Sequence, residues 1–274
     1  MSKVWFITGT SRGFGRVFAE SALARGDQVV ATARDLNALG DLERTYGSSV
    51  MPLALDVTDK AAVGDAVDKA VATFGRLDVV VNNAGYGLHG MVEELSEADL
   101  RAQIETNVFG SLWVDQAVLP HLRKQGSGHV IQISSLNGVA AFVMMGGYSA
   151  SKWASEALSD SLAQEVSGFG IKVTIVEPAL YATDFAGPSA VHSAPMAAYD
   201  GVREAFFNAI GDVKAGDPAA VGPALLKIVD AENPPLRVVF GEYALNGAQA
   251  IYADRVATWK EWSDLAVEAE GQST

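Results

Sequence analysis

Hydrophobic and polar residues follow two repeating patterns along the chain. Seven short apolar runs lie at residues 3–8, 28–32, 50–55, 77–82, 129–134, 171–177 and 236–240. Such runs, without a polar face, are typical of strands buried on both faces of a parallel sheet. Between them the apolar residues recur with a helical period. In the segment of about 59–74 they form one face and the pattern stops at Gly75, a typical helix end. The alternation predicts an α/β fold, a single-domain Rossmann-type, doubly wound, parallel seven-stranded sheet with helices on both faces.

Two segments depart from this alternation. Residues 179–216 show no clear period and are rich in glycine and proline, so we expect a long loop that acts as a substrate lid. This loop should end at Asp217, an N-cap aspartate followed by a proline. Residues 246–269 are typical of a C-terminal helix. We expect Trp259 and Trp262 in it to pack against the core or a partner subunit.

Length and composition narrow the possible functions. The chain has 274 residues, of which 49% are hydrophobic, and neither a linker nor a repeat divides it. Residues 1–274 are therefore predicted to form one domain. The net charge of −13 repels a phosphate backbone, so no nucleic-acid partner is expected.

The absence of certain residue types excludes other functions. There is no cysteine, which excludes disulfides and thiolate chemistry, and the four histidines lack metal-ligand spacing, so no metal site is predicted. There is no apolar run of about 18 residues that could span a membrane. Because a strand begins almost at the N-terminus, no signal peptide fits, and we expect a cytoplasmic protein.

A glycine-rich segment follows the first predicted strand. Its glycines, Gly9, Gly13 and Gly15, are spaced G-x-x-x-G-x-G and lead into a helical pattern. Free N–H groups at the start of a helix favour anions, so Gly13 and Gly15 could let the backbone approach a pyrophosphate while Gly9 allows the tight turn. An ordinary glycine-rich turn is the alternative.

Tyr148 and Lys152 are four residues apart in a predicted helix. Residues at this spacing share a helix face, so a phenol lies beside an ammonium group. The ammonium should lower the pKa of the tyrosine from its usual value of about 10. Such a tyrosine could act as a general acid or base. On its own, this spacing also occurs by chance on a solvated helix face.

Two further motifs lie at strand ends. Asn-Asn-Ala-Gly occupies 82–85, and Ser-Ser occupies 134–135, with Ser135 thirteen residues before Tyr148. Together with the glycine segment and the Tyr–Lys pair, in this order, the chain resembles the short-chain dehydrogenase/reductase family over roughly residues 3–240. The resemblance implies an NAD(P)-dependent oxidoreductase that interconverts a ketone and a secondary alcohol by hydride transfer.

The resemblance also implies a catalytic tetrad of Asn107, Ser135, Tyr148 and Lys152. Tyr148 would exchange the proton of the substrate oxygen, Ser135 would donate a hydrogen bond to that oxygen, and Lys152 would bind the ribose hydroxyls. Asn107 would hold a water that connects Lys152 to solvent. Ser134 is the rival to Ser135, because successive strand residues point to opposite faces. The thirteen-residue spacing favours Ser135.

Cofactor contacts implied by the resemblance lie at several strand ends. They are Gly9, Ser11, Arg12, Gly13, Phe14, Gly15, Arg34, Asp56, Val57, Asn83, Ala84, Gly85, Tyr148, Lys152, Pro178, Ala179, Tyr181 and Thr183. Asp56 would accept a hydrogen bond from the adenine amino group. The alternative is that Asp56 only begins a helix as an ordinary N-terminal aspartate. Asn82 would serve mainly the backbone geometry. Ala179 and Tyr181 depart from the family's P-G-x-x-x-T element, so a changed backbone is expected at Ala179 if glycine there has positive φ.

The end of the second strand predicts which nicotinamide cofactor binds. NAD-users carry an acidic residue where this chain has Ala33, and Arg34 follows. Arg34 and Arg12 could hold a 2′-phosphate through charge-assisted hydrogen bonds. Asp35 could compete for Arg34. NADP is therefore predicted, with NAD as the alternative.

The substrate is the least defined partner. Leu88, His89, Met91, Phe142, Val143, Met144, Met145 and Phe185 lie near the strand ends or between Ser135 and Tyr148. They could form an apolar pocket for a small carbonyl or alcohol, or they could be core. A homodimer or homotetramer is expected. Alternative functions are a dehydratase or epimerase on the same fold, or a non-catalytic NADP-sensing interaction protein.

Overall fold

The computed structural model describes residues 2–187, 189–211 and 213–271. The strands are β1 Val4–Ile7, β2 Gln28–Ala33, β3 Val50–Ala54, β4 Val79–Asn82, β5 Leu88–His89, β6 Gly128–Ile133, β7 Ile171–Pro178, β8 Val191–His192 and β9 Arg237–Phe240. The helices are α1 Gly13–Ala24, α2 Gly40–Tyr46, α3 Lys60–Phe74, α4 Glu97–Ile104, α5 Gly110–Gln125, α6 Gly146–Val166, α7 Asp200–Ile210, α8 Val221–Asp230, α9 Glu242–Glu261 and α10 Ser263–Glu270.

The main sheet has seven strands in the order β3-β2-β1-β4-β6-β7-β9, and every adjacent pair is parallel. The winding direction reverses between β1 and β4, so the carboxyl ends of these two strands flank the crevice where such sheets bind ligands. The predicted doubly wound, seven-stranded fold is confirmed.

Alternation along the strands divides the core into two layers. In β1, Trp5 and Ile7 belong to the apolar cluster that includes residues of α1 and α8. Val4 and Phe6 point the other way and pack with residues of α3, α5 and α6. Because both faces of β1 are covered, all four side chains are buried, which explains why the run has no polar positions.

The segment 179–216 is not the irregular loop that its sequence predicts. It contains α7, and β8 pairs in parallel with β5 to form a separate two-stranded ladder. No residue of α7 is buried, although Val202, Phe206 and Ile210 recur at the spacing of one helix face. The expectation that this segment has no clear period is therefore wrong for α7. Pro188, which falls in this segment, lies outside the described residues. The predicted N-cap is confirmed, because Asp217 accepts a hydrogen bond from the N–H of Ala219 at 2.9 Å.

The C-terminal helix begins at Glu242 rather than 246 and is interrupted at Trp262. Only Ala244 and Ala248 of this region are buried. Trp259 and Trp262 are 65% and 58% exposed, so the expectation that they pack against the core is wrong. Their packing against a partner subunit stays a prediction. Within the described ranges, no helix has both the length and the apolar character needed to cross a bilayer.

Candidate functional site

The glycine segment links β1 to α1 at the crevice. Gly9 and Gly13 have φ of +71° and +60°, a region that favours glycine. A Cβ on Gly15 would lie 2.4 Å from both the carbonyl oxygen of Gly9 and Nδ2 of Asn83, whereas a Cβ on Gly13 would meet no atom within 4 Å. Gly15 is therefore needed for packing inside the protein, while Gly13 faces open space into which a ligand can fit.

Thr8 and Asn83 hold this segment in place. The hydroxyl oxygen of Thr8 accepts from the backbone N–H groups of Asn83 and Ala84, both at 2.9 Å. Nδ2 of Asn83 donates to the carbonyl oxygens of Thr8 and Gly9 at 2.8 and 3.1 Å. The amide of Asn83 therefore fastens the segment to β4. Sequence reasoning did not assign Thr8 a role, although it begins the Thr-Gly motif.

Asn82 joins β4 to α5 through a buried contact. Its Nδ2 donates to Oδ1 of Asp115 at 2.7 Å. Burial raises the pKa of Asp115 to about 7, and the hydrogen bond from Asn82 opposes this shift. The expected part of Asn82 in the backbone geometry beside the cofactor stays a prediction, and nothing in the sequence pointed to Asp115 as its partner. Gly85, three residues after Asn82, is exposed. A Cβ on Gly85 would lie 3.0 Å from Oδ1 of Asn107, so glycine at this position leaves room for the Asn107 side chain.

Asp56 and Val57 follow β3 at the same edge of the sheet. Oδ1 of Asp56 accepts from the N–H and hydroxyl of Thr58 at 3.0 and 2.8 Å, and the side chain is exposed. The N-cap of α3 is Asp59, so Asp56 is not the helix-start aspartate of the alternative. Val57 is buried, and its Cγ2 would lie 2.7 Å from a Cβ on Gly110.

Two exposed arginines flank the opening of the crevice. Arg12 precedes α1 as its N-cap residue and makes no side-chain cap, so its side chain satisfies none of the first-turn N–H groups. Arg34 directly follows β2, whose last residue, Ala33, is buried. Oδ1 of Asp35 accepts from the backbone N–H and Nδ2 of Asn37, both at 3.0 Å. Across the described ranges, neither Arg12 nor Arg34 forms an ion pair.

These features fit a phosphorylated dinucleotide. Gly13 leaves space at the start of α1, where free N–H groups favour a pyrophosphate. Ser11, exposed in the same turn, adds a hydroxyl. The ring of Phe14 packs edge-on against Tyr181, with centroids 5.0 Å apart.

The segment after β7 lies on the opposite side of the crevice. Pro178 ends β7, and Ala179 is not among the residues with positive φ, so the alanine needs no unusual backbone there. The backbone of Tyr181 pairs with that of Gly216 in an isolated β-bridge. A Cβ on Gly216 would lie 2.7 Å from the ring of Tyr181. The hydroxyl oxygen of Thr183 accepts from the N–H of Phe185 at 3.4 Å.

Asn107 lies in a π-helical turn, Glu105–Phe109, between α4 and α5. Such turns are frequent at functional sites. Nδ2 of Asn107 donates to the carbonyl oxygen of Tyr86 at 3.1 Å and to the hydroxyl of Ser151 at 3.0 Å. The backbone carbonyl oxygen of Asn107 accepts a hydrogen bond from the hydroxyl of Ser155 at 2.9 Å. Protein groups thus hold Asn107 in place, and its role in binding water stays a prediction.

Tyr148 and Lys152 lie on consecutive turns of α6, and both are buried. Nζ of Lys152 donates to the carbonyl oxygen of Ile133 at 2.8 Å and lies 5.7 Å from the centroid of the Tyr148 ring. Burial raises the pKa of Tyr148 above its usual value, while a hydrogen bond with Ser135 opposes the rise. Burial also lowers the pKa of Lys152 to about 8. The expected lowering of the tyrosine pKa is therefore wrong for this structure, because loss of solvent outweighs the nearby charge.

The two serines after β6 point in different directions. The hydroxyl of Ser134 donates to Oε1 of Glu156 at 2.6 Å and is buried. The hydroxyl oxygen of Ser135 accepts from the N–H of Asn137 at 3.1 Å, and this side chain is the one that interacts with Tyr148. The geometry favours Ser135 over Ser134 as the partner of the tyrosine.

The residues suggested for a substrate pocket divide into two groups. Leu88, Met91 and Met145 are buried in the protein interior, and Phe142 packs against α9. Val143 is exposed, and Met144 has φ of +64°, an uncommon conformation for methionine. Phe185 and His89 form ring contacts instead. The ring centroid of Phe185 is 5.1 Å from that of Tyr148, and His89 stacks on His192 with ring centroids 4.9 Å apart.

Among the residues that the structure describes, no three or more histidine, aspartate or glutamate side chains are arranged to hold a metal ion.

Comparisons with known proteins agree with this site. The family model described as "short chain dehydrogenase" matches residues 3–192. The chain is 41% identical to the oxidoreductase BOA17 of Botryotinia fuckeliana over 271 residues, which are 96% of this chain and 98% of that protein. A crystal structure of a short-chain dehydrogenase from Streptomyces avermitilis superposes with a TM-score of 0.92 at 40% identity, with 98% of each chain covered.

Two solved structures at 25% identity contain a nicotinamide cofactor. ElxO with NADP bound has a TM-score of 0.75 and covers 90% of this chain and all of its own. A short-chain dehydrogenase/reductase from Burkholderia phymatum in complex with NAD has a TM-score of 0.81 and covers 94% and 95%. From the family match, the fold and the arrangement of the site, the chain belongs to the short-chain dehydrogenase family and is an NAD(P)-dependent oxidoreductase.

Proposed function

We propose that this protein interconverts a ketone and a secondary alcohol with NADP as its cofactor. The observation that carries the proposal is the position of Tyr148, with Ser135 and Lys152 beside it, at the carboxyl ends of the strands that flank the open glycine segment. A proton donor, a hydrogen-bond donor and a cation thus converge at one point, as carbonyl chemistry requires.

The side chains have distinct tasks in ketone reduction. Tyr148 donates its phenolic proton to the carbonyl oxygen as negative charge develops there. Ser135 donates a hydrogen bond to the same oxygen and stabilises that charge. The ammonium of Lys152 favours the phenolate left after proton transfer. When bound, the nicotinamide supplies the hydride for reduction or accepts it for oxidation.

NADP is favoured over NAD by the charges around the crevice. Arg12 and Arg34 are exposed at its opening, and Asp35 is held by Asn37 rather than by Arg34. Two arginines suit a 2′-phosphate, whereas Ala33 offers no carboxylate for the ribose hydroxyls of NAD. ElxO, which has NADP bound, supports this choice, while the NAD complex from Burkholderia phymatum keeps NAD as the alternative.

The segment 179–216 is proposed to act as a lid over the substrate site. Its Phe185 ring packs on Tyr148, which is only 4% exposed. Movement of this ring would uncover more of the phenol for a substrate. An aromatic ring at this place also favours an apolar substrate.

The first test is turnover of a panel of apolar ketones with NADPH by the wild type and Tyr148→Phe. We expect the variant to lose at least about 10²-fold in kcat, the scale of one general acid, while it binds NADPH nearly as the wild type does. Tyr252→Phe, an exposed tyrosine on α9, is the matched control and should keep full activity. Near-normal turnover by Tyr148→Phe would disprove the assignment. NADPH binding by a wild type without any turnover would instead indicate the cofactor-sensing alternative.

We also propose that the protein is a homodimer or homotetramer. Trp259 and Trp262 are exposed in the protomer, and large exposed apolar side chains commonly mark protein contacts. Light scattering after size-exclusion chromatography measures the mass directly. A mass of one 28.8 kDa chain at micromolar concentration would contradict the proposal. The cytoplasmic location stays a prediction.

A further inference from the structure

Two consecutive turns of α6 bind two consecutive residues at the end of β6. Nζ of Lys152 donates to the carbonyl oxygen of Ile133 at 2.8 Å. One turn later, Oε1 of Glu156 accepts from the hydroxyl of Ser134 at 2.6 Å. The next residue in the chain is Ser135, which interacts with Tyr148. The helix that carries the tyrosine therefore also fixes the backbone that carries the serine.

Glu156 is a buried carboxylate, and the groups around it compensate for its burial. It is 6% exposed, and its Oε2 lies 3.5 Å from Nε of Arg237 on β9. A Cβ on Gly138 would stand 2.2 Å from its Oε1, so the chain at Gly138 approaches the carboxylate as closely as only glycine allows. Burying a carboxylate is costly unless hydrogen bonds and a cation compensate, and both are provided here.

We propose that Glu156 is a positioning residue of the active site, which fixes Ser134 so that Ser135 faces Tyr148 and places a negative charge one helical turn from Lys152. The inference rests on the proposed function, because it assigns Glu156 a role through Ser135 and Lys152. Glu156 itself has no part in the chemistry derived above and is not among the residues that the sequence suggested.

The charges around Glu156 define what its removal should do. Burial lowers the pKa of Lys152 to about 8, and the charge of Glu156 acts against that shift. Burial raises the pKa of Glu156 itself, and Ser134, Arg237 and Lys152 oppose the rise. Arg237 also faces Glu177 on β7, at 3.6 Å, and Asp160 on α6, at 2.7 Å. Of these carboxylates, Glu156 is the one that lies one turn from Lys152 on the same face of α6.

The experiment compares Glu156→Gln with Asp160→Asn. Both substitutions remove one carboxylate that faces Arg237 from α6, but Asp160 lies near the surface and does not bind Ser134. For Glu156→Gln we expect kcat to fall about tenfold or more, with little change in KM. The ionisation of the Tyr148–Lys152 pair in the pH profile of kcat should move down by about one pH unit, the scale of one lost opposite charge. Asp160→Asn should change neither quantity.

Two more variants separate positioning from charge. Ser134→Ala keeps the carboxylate but removes its hydrogen bond, so kcat should fall without a shift in the pH profile. Glu156→Asp keeps the charge, so its pH profile should lie closer to that of the wild type than the profile of Glu156→Gln does. These variants also keep the inference testable if Glu156→Gln does not fold. An unshifted profile in Glu156→Gln, an equal shift in Asp160→Asn, or full activity in Ser134→Ala would each overturn it.

A readout without turnover distinguishes this inference from the proposed function. The chemical shift of lysine Cε follows protonation, so NMR of protein with 13C-labelled lysine gives the pKa of Lys152 directly, with Lys152→Met to assign the signal. We expect a lower pKa in Glu156→Gln and no change in Asp160→Asn. If the wild type turned over no ketone, this titration would still decide whether Glu156 holds the charge of Lys152. An unchanged lysine pKa in Glu156→Gln would refute that part.

Discussion

Gly13 and Gly15 lie two residues apart in the same segment, and the same added methyl group should act on them in opposite ways. At Gly13 the methyl would meet no atom within 4 Å, so it enters only the open space of the crevice. At Gly15 it would lie 2.4 Å from the carbonyl oxygen of Gly9 and from Nδ2 of Asn83. Gly13→Ala therefore tests ligand binding, whereas Gly15→Ala tests internal packing.

The expected magnitudes follow from the backbone and from these distances. Gly13 has φ of +60°, so alanine there costs about 1–2 kcal/mol in the folded state. Restriction of the unfolded chain returns about 0.4–1 kcal/mol, which leaves a net loss of roughly 1 kcal/mol. Gly15→Ala must displace the backbone of Gly9 or the amide of Asn83. Overpacking of this kind costs about 1–3 kcal/mol, even though alanine is the better helix former by about 1 kcal/mol.

The assay combines urea unfolding without cofactor and fluorescence titration with NADPH. For Gly13→Ala we expect stability within about 1 kcal/mol of the wild type, but NADPH affinity at least tenfold lower, a loss of about 1.4 kcal/mol. Gly15→Ala should lose both stability and affinity. Wild-type NADPH affinity in Gly13→Ala would refute the assignment of the open space to the cofactor. Wild-type stability in Gly15→Ala would contradict the packing argument.

Three further predictions address cofactor choice, the lid and pH. Arg34→Ala should weaken NADPH binding by about 1.5–3 kcal/mol, the scale of one charged hydrogen bond, with little effect on NADH, and Ala33→Asp should shift preference toward NADH. Titration of both cofactors decides this, and tighter NADH than NADPH binding by the wild type would contradict it. Phe185→Ala should uncover Tyr148 and raise kcat/KM for bulky ketones relative to small ones, and an unchanged ratio would speak against a lid. The folded state raises the pKa of Asp115 from 3.8 to about 7, so it holds a proton that the unfolded chain releases, and stability should fall as pH rises through this window. Burial also raises the pKa of Glu177 to about 7, so Asp115→Asn should reduce that fall, rather than abolish it, in urea unfolding at pH 5 and 8, and a fall of the same size in the variant would refute the prediction.

The strands of the sheet and the helices beside them can be predicted from the local pattern of apolar residues. The apolar run at 129–134 corresponds to β6, Gly128–Ile133, and the helical segment of 59–74 corresponds to α3, Lys60–Phe74. Gly75 ends α3 with φ of +77°, as its position after the last apolar residue predicts. Such features depend on a few consecutive residues, because burial on both faces or on one face leaves a direct trace in the sequence.

The hydrogen bonds that hold the site together cannot be predicted from the local pattern of the sequence. Thr8 and Asn83 are 75 residues apart, and Asn82 and Asp115 are 33 apart, yet each pair is joined by a hydrogen bond. A polar residue in one sequence looks the same whether it faces water or a distant partner. The sequence therefore predicts which strand ends carry polar groups, but the partner of each group depends on how the strands and helices are packed.

The pKa of Tyr148 illustrates the same limit for chemistry. The spacing of Tyr148 and Lys152 places a cation beside a phenol, and charge alone would lower the tyrosine pKa. Spacing carries no information about solvent, and in the structure both groups are buried, so burial raises the pKa of the phenol and lowers that of the amine. A protonated phenol beside Ser135 is the state that donates to a carbonyl oxygen, so burial prepares Tyr148 to act as an acid. The ammonium of Lys152 then acts after proton transfer, when it must stabilise a phenolate that water cannot reach. For this reason Glu156, whose carboxylate favours the charged form of Lys152, belongs to the same site.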